Sequence, residues 1–276
     1  MHHSMYFFFL SKIIMVINMN ILITGSASGL GYNAGINLAR EGYHVFLTTE
    51  NDKQLEVLND KVKNMDNIDT FKLDITNKND LKKLEKKDID ILISNAAVGY
   101  GGSIIDIDTE KFRHSYEVNV LSNFELIKKV ISKMIEKGNG KIIIMSSIIS
   151  NIPIPFFGIY AGTKASITMV GKCLRKEVKV LNKNIKISII EPGLYKTGFN
   201  KFMIESKYTE NSIFKDFYDS IRNLENEILD FSAKKKYDSI TKQIIKAVKE
   251  ENPKEIYRAP MFQNLLIKLY IKFLKK

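Results

Sequence analysis

Tyr160 and Lys164 stand four residues apart, and Ser147 lies thirteen residues before the tyrosine. Residues at i and i+4 share one face of a helix, so an ammonium set beside a phenol would favour the ionised phenol and let it exchange protons nearer to neutral pH. These residue types suit proton transfer to or from an oxygen whose carbon gains or loses hydride. Of the twelve tyrosines, Tyr160 alone has a lysine four residues on.

A second chemical signal opens the chain. Residues 24–31 read Thr-Gly-Ser-Ala-Ser-Gly-Leu-Gly between an apolar run at 21–24 and a helical period at 32–40. Gly25 permits a sharp turn, Gly29 lets a pyrophosphate reach the backbone, and Gly31 removes a side chain where helix meets sheet. The helix N-terminus adds amide donors and a favourable dipole. An ordinary tight turn is the bland alternative. The position between a strand and a helix favours a dinucleotide site.

The rest of the pattern must position these parts. Short, continuously apolar runs at 45–47, 71–73, 89–93, 141–145, 185–190 and 256–258 predict strands. Helical periods at 54–63, 81–87, 109–137, 158–181 and 239–250 separate them. Thr109 is the expected N-cap of the long helix, which leaves at Gly138-Asn139-Gly140. Apolar strands alternating with helices imply an α/β fold with a doubly wound, mostly parallel, Rossmann-like sheet covered on both faces. One domain over residues 19–260 is the expectation, with a lid at about 196–236.

In this order the motifs resemble the short-chain dehydrogenase/reductase family in its shorter branch. The glycine pattern matches, with Ser26, Ser28 and Leu30 inside it. Asp74-Ile75 resembles the adenine-contacting pair, and Asn95-Ala96-Ala97 part of the stretch after the fourth strand. Pro192-Gly193 with Thr197 resembles the nicotinamide-side motif, while Asn119, Ser147, Tyr160 and Lys164 fall on the catalytic positions. The resemblance covers about residues 19–200. It implies Tyr160 as general acid/base, Lys164 lowering its pKa and bonding the nicotinamide ribose, Ser147 donating to the substrate oxygen, and Asn119 holding a water that links Lys164 to solvent. Taken singly, Asp74 would cap a helix, Asn119 would satisfy backbone and Ser147 would end a strand. Gly162, Ala97 and Tyr195 depart from the family's usual residues, a difference expected to reshape the substrate mouth.

NAD or NADP is the implied cofactor. At the end of the second strand Thr49 stands where NAD enzymes carry an acid, and Glu50 stands where many NADP enzymes carry Arg. A carboxylate there would repel a phosphate, so the expectation leans slightly to NAD. A dinucleotide-binding redox sensor or scaffold with an idle site is the alternative function. The expected substrate is a small alcohol or carbonyl compound, apolar if Phe156, Phe157, Phe199, Phe202, Met203 and Tyr208 line the mouth; lid packing is the competing use of those side chains.

Composition removes other classes. The four histidines, two of them at positions 2 and 3, form no metal-ligand spacing, and no metal is expected. Cys173 is the single cysteine, so no internal disulfide forms, and it is expected to be a small buried apolar residue. The net charge is +11, and residues 234–276 hold twelve Lys or Arg against four Asp or Glu. Nucleic-acid binding is not expected, since zinc spacing, a helix-turn-helix signal and interleaved aromatics are all missing. Residues 261–276 predict a basic amphipathic helix docked on the body or touching a membrane peripherally. Residues 1–18 are too short an apolar run to span a bilayer and read as an upstream extension or a misassigned start, with a membrane anchor as the minority reading. A cytoplasmic homodimer or homotetramer, assembled through helices 109–137 and 160–181, completes the expectations.

Overall fold

The computed structural model describes residues 19–208, 210–223 and 233–263. Residues 1–18 and most of the predicted C-terminal helix lie outside them, so those two expectations find no answer there.

The isoleucine-rich runs form seven strands: β1 Asn20–Ile23, β2 His44–Thr49, β3 Ile68–Lys72, β4 Ile91–Ser94, β5 Asn139–Met145, β6 Asn184–Pro192 and β7 Ile256–Ala259. They pair in the order β3-β2-β1-β4-β5-β6-β7, every pair parallel. Alternate side chains point to opposite faces, and both faces are covered. Ile21, Ile23, Val45, Leu47 and Ile93 pack with Ala34 and Leu38 of α1 (Gly29–Arg40), Leu58 of α2 (Asp52–Val62) and Ile244 of a late helix. Leu22, Phe46, Leu92, Ile142 and Ile144 face the other way, onto Leu81 of α3 (Lys78–Lys82) and the long helices of the middle of the chain.

Those long helices differ from the single helix predicted at 109–137. The chain forms α4 (Thr109–Tyr116), a π-helical turn at Glu117–Ser122, and α5 (Asn123–Lys137). Asp108 is the N-cap rather than Thr109, its carboxylate accepting from the Glu110 amide at 2.9 Å. Gly138, in the left-handed region at φ 80°, ends α5 as its spacing predicts. The helix expected at 81–87 splits into α3 and a 3-10 turn at Lys83–Lys86. α6 (Gly158–Val180) carries Tyr160, Lys164 and Cys173. Cys173 is exposed, against expectation, because it falls on the outer face of α6. The stretch expected to form a lid contains a helix that its irregular pattern concealed, α7 (Gly198–Glu205), and α8 (Asp238–Lys249) returns the chain to β7.

β1 lies between β2 and β4, so successive connections leave it in opposite directions. Such a switch point opens a crevice at the carboxyl ends of the strands.

Candidate active site

The crevice is a cleft of about 600 Å³ that runs across the carboxyl ends of the strands. Glu50 and Gln54 beyond β2 and Asp74, Ile75 and Thr76 beyond β3 line one end. Ser147 beyond β5, Tyr160 and Lys164 on α6, and Pro192-Gly193-Leu194 beyond β6 line the other. The glycine turn and Asn95-Ala96-Ala97 lie between them.

The turn is held by backbone. Gly25 has φ 64°, and a Cβ there would come within 2.8 Å of the Ala96 Cα. A Cβ on Gly31 would meet the Asn95 Nδ2 at 2.5 Å. Gly29, at φ 62°, faces open space, with Thr197 Cγ2 its nearest neighbour at 3.9 Å. The first turn of α1 begins at Gly29, earlier than the periodicity predicts, so its unpaired amides open on the cleft. Left-handed glycine, open room and free amides at one point fit a bound pyrophosphate.

Polar side chains lock this turn to β4. Thr24 Oγ1 accepts from the Asn95 and Ala96 amides, each at 3.0 Å, and Asn95 Nδ2 donates to the carbonyls of Thr24 at 2.8 Å and Gly25 at 3.0 Å. Asn123, which the sequence reading missed, donates to the Ala96 carbonyl at 3.0 Å and accepts from Ser94. Nothing in its spacing marks it; only the fold brings α5 beside the end of β4.

Two predicted site residues stay out of the cleft. Ser26 is fully buried, its hydroxyl donating to the Ile23 carbonyl at 2.7 Å and its amide to Thr48 at 2.7 Å, so it shapes the turn from behind. Asn119 sits in the π-helical turn with its amide spent on protein: Oδ1 accepts from the Val98 amide at 2.8 Å, and Nδ2 donates to the Val98 carbonyl at 2.7 Å and to Thr163 Oγ1 at 3.1 Å. The widened turn aims this side chain at Val98, in the segment that continues from the end of β4. The remaining predicted residues, Gly25, Ser28, Gly29, Leu30, Gly31, Asp74, Ile75, Asn95, Ala96, Ala97, Ser147, Tyr160, Lys164, Pro192, Gly193 and Thr197, all line the cleft.

At the far end Tyr160 stands in the first turn of α6 and Lys164 one turn on, both buried. Ser147 and Tyr160 both line this end of the cleft, and the Ser147 hydroxyl accepts from the Ile149 amide at 3.3 Å. Lys164 Nζ donates to the Met145 carbonyl at 2.9 Å and lies 5.7 Å from the Tyr160 ring centre. Burial pushes the Tyr160 pKa well above its usual value, while the nearby Ser147 hydroxyl pulls it down by less. Burial also lowers the Lys164 pKa to about 8. Desolvation thus disfavours the charged form of each group, and in the protein alone the lysine does not bring the phenol down as the motif suggests. Ser147 also caps the 3-10 turn Ile148–Asn151. Asn151 and Arg258 tie that turn to β6 and β7 through the fully buried Glu191, at 3.1 and 2.6 Å.

Of the three departures from the family pattern, Ala97 and Tyr195 line the cleft, whereas Gly162 has a local cause outside it. A Cβ on Gly162 would lie 2.9 Å from the Tyr116 hydroxyl, so glycine there admits the tyrosine of α4. The Tyr195 ring is buried in the core with its hydroxyl 2.8 Å from Ser239 Oγ. Of the six candidate mouth residues, Phe199 and Met203 line the cleft, Phe199 with its ring centre 5.5 Å from that of Tyr160. Phe156 packs on Phe214, Phe157 lies under Lys207, Phe202 meets Tyr100, and Tyr208 meets Tyr218. The wall is completed by Val98, Val118, Ile148, Ile149, Ile152 and Ile154, with His114 at the rim, hydrogen-bonded with Tyr100 at 3.0 Å. Sequence spacing gave no sign of His114.

Among the described residues no cluster of His, Cys, Asp or Glu could hold a metal ion, and no helix is long and apolar enough to cross a membrane.

Comparison with known proteins agrees with this geometry. The family model described as short chain dehydrogenase matches residues 19–207. The uncharacterized oxidoreductase YusZ of Bacillus subtilis is 30% identical over 212 residues, covering 72% of this chain and 74% of that one. Dehydrogenase/reductase SDR family member 4 of Bos taurus is 29% identical over 205 residues, covering 71% and 72%. A short-chain dehydrogenase from Streptomyces avermitilis superposes with a TM-score of 0.77 at 22% identity, covering 93% of each chain. One from Sphingobium yanoikuyae, in complex with NADPH, gives 0.70 at 18% identity over 94% and 96%.

Proposed function

The chain belongs to the short-chain dehydrogenase family, and from that membership we propose that it interconverts an alcohol and a ketone or aldehyde with a nicotinamide dinucleotide, Tyr160 exchanging the proton. The observation that carries the reading is convergence: Ser147, Tyr160 and Lys164 occupy the end of the same cleft whose middle is the glycine turn.

Gly25, Ser28, Gly29, Leu30 and Gly31 would hold the pyrophosphate, Asp74 and Ile75 the adenine end, and Asn95, Ala96, Ala97, Pro192, Gly193 and Thr197 the path to the catalytic end. When bound, the dinucleotide supplies a hydride carrier. Ser147 donates to the substrate oxygen. Tyr160, kept protonated by burial, holds the proton that this oxygen takes up in the reducing direction. Lys164 presents its ammonium between the Met145 carbonyl and the tyrosine. Asn119 acts from behind, fixing Val98 and α6 through Thr163. Ile148, Ile149, Ile152, Ile154, Phe199 and Met203 exclude water and favour an apolar substrate.

The cofactor reading keeps its lean to NAD. Glu50 lines the adenosine end with a carboxylate, whereas Thr49 is buried with its hydroxyl on the Asn51 carbonyl. Exposed Phe112, Leu121, Phe124 and Met169 on α4 to α6 support assembly into a dimer or tetramer, which size-exclusion chromatography with light scattering tests.

An oxidation screen with NADH and NADPH against apolar and polar carbonyls tests the whole. We expect turnover on an apolar ketone or aldehyde, tighter binding of NADH than NADPH, and loss of turnover in Tyr160→Phe. Dinucleotide binding without turnover on any class would favour the redox-sensor alternative.

A further inference from the structure

The backbone that follows β6 is shaped by a residue from beyond β7. Gln263 Oε1 accepts from the Leu194 amide at 2.6 Å, and Gln263 Nε2 donates to the Leu194 carbonyl at 3.3 Å. One side-chain amide therefore satisfies both polar groups of one residue, in the manner of a neighbouring strand. The contact is close: a Cβ on Gly193 would lie 2.0 Å from Gln263 Oε1 and 3.0 Å from Pro260 Cδ. Gly193 donates its own amide to the Ala259 carbonyl at 2.8 Å, which brings the two segments into register. Gln263 is buried and lines the cleft beside Pro192, Gly193 and Leu194. The parallel pairing of Met145 with Ile190 sets Pro192 alongside Ser147, so this wall stands at the proton-exchanging end.

We infer that Gln263 is a positioning residue for that end of the cleft. Its amide fixes the Gly193-Leu194 turn as a wall for the hydride-carrying half of a dinucleotide. The small size of Gly193 is then required by the glutamine as much as by any ligand. Gln263 also lies past residue 207, where the family match ends, so this chain's own C-terminal segment supplies the support. The inference rests on the dinucleotide reading of the cleft, and it makes a directional claim: Gln263 acts on one end and leaves the adenosine end, built by β1 to β3, untouched.

Titration of the full-length protein with two probes tests this. The first is whichever of NADH and NADPH the wild type binds more tightly; the second is ADP-ribose, which lacks the nicotinamide ring. Gln263→Met keeps the side-chain volume and removes both hydrogen bonds, and Gln263→Ala removes the volume as well. With two hydrogen bonds lost, we expect Gln263→Met to bind the dinucleotide about tenfold more weakly and ADP-ribose within about twofold of wild type. Thermal unfolding of the same samples identifies a variant that has lost its fold, and Gln263→Met then replaces Gln263→Ala. Unchanged dinucleotide binding in Gln263→Met overturns the inference, and so does an equal loss for both probes, which marks a general loosening. A wild type that binds neither dinucleotide overturns the functional reading itself, and the inference with it.

Discussion

The two sides of the cleft are held by different kinds of contact. Around the glycine turn, backbone meets backbone: Gly25 has room for no Cβ against Ala96, and Thr24 and Asn95 close β1 onto β4 through four hydrogen bonds of 2.8 to 3.0 Å. On the lid side, side chain meets side chain. Phe156 packs edge-on against Phe214 at 5.2 Å, Tyr208 against Tyr218 at 4.9 Å, and Arg222 lies 4.4 Å over Tyr208. A wall made of backbone tolerates few residues at each position, whereas a wall made of side chains changes shape with every substitution. The first arrangement suits an invariant ligand such as a dinucleotide. The second suits a variable one, which is where substrate choice belongs.

The largest test separates chemistry from both walls. Tyr160→Phe keeps the ring against Phe199 and removes the proton. Turnover should fall by about 10²–10⁴-fold, the usual worth of a positioned acid or base, with dinucleotide affinity nearly unchanged. Steady-state rates and a fluorescence titration measure the two. Retained turnover would move the proton transfer to another group and uncouple Tyr160 from the site.

Next in size is a pair of glycines with the same backbone and different surroundings. Gly25 and Gly29 have φ of 64° and 62°, but only Gly25 is crowded by backbone. Gly25→Ala should destabilise the fold by about 2–4 kcal/mol, strain and overlap together. Gly29→Ala should cost about 1 kcal/mol yet weaken dinucleotide binding strongly, because its methyl group would occupy the pyrophosphate's approach. Thermal unfolding and dinucleotide titration separate these effects. Equal stability losses would mean that the turn is not defined by its backbone packing.

Lys164 offers an intermediate effect, since it is buried like the cradle but can ionise. Its pKa falls from 10.5 to about 8 on burial. The folded chain releases this proton near pH 8, and the unfolded chain keeps it to about 10.5, so the unfolded state binds more protons in that window and stability rises with pH. Lys164→Met lacks the gain. From pH 7.5 to 9.5 the wild type should therefore gain on the order of 1–2 kcal/mol over the variant in urea unfolding. A flat difference would show that the Met145 carbonyl keeps the ammonium charged.

The contrast also explains what the sequence could reveal. Gly25, Gly29, Gly31, Tyr160 and Lys164 announce themselves because backbone geometry and helical spacing restrict residue type locally. Asn123, His114 and Gln263 act across long separations, 69 residues between Leu194 and Gln263, and their types are common on any surface. Asn119 was visible as a position but not as a contact, since a π-helical turn inside a continuous helical period leaves no mark in the pattern. The lid was legible as an interruption and no further. Four of the six candidate mouth residues, Phe156, Phe157, Phe202 and Tyr208, pack on Phe214, Lys207, Tyr100 and Tyr218 instead of lining the cleft, because side-chain packing depends on neighbours that a linear reading does not place.

The smallest effect tests the boundary between the two walls. Phe156 is held at φ 64°, a left-handed conformation that a bulky residue enters at a cost, while its carbonyl accepts from the Gly102 amide at 2.8 Å and its ring meets Phe214. Asp106 holds the same stretch of lid from below, accepting from Ser212 Oγ at 2.7 Å and the Ile213 amide at 3.0 Å. Phe214→Ala removes one half of the aromatic pair and leaves the polar tie. An edge-on pair of this kind is worth about 0.5–1.5 kcal/mol, so stability should fall by about that amount. The loosened Phe156 adjoins Phe157 and the start of α6, and the KM for an apolar carbonyl should change by about threefold for that reason. Dinucleotide affinity should not move, since no residue of the glycine turn touches this pair. If it does move, lid and cradle form one cooperative wall, and substrate and cofactor selection share the same contacts.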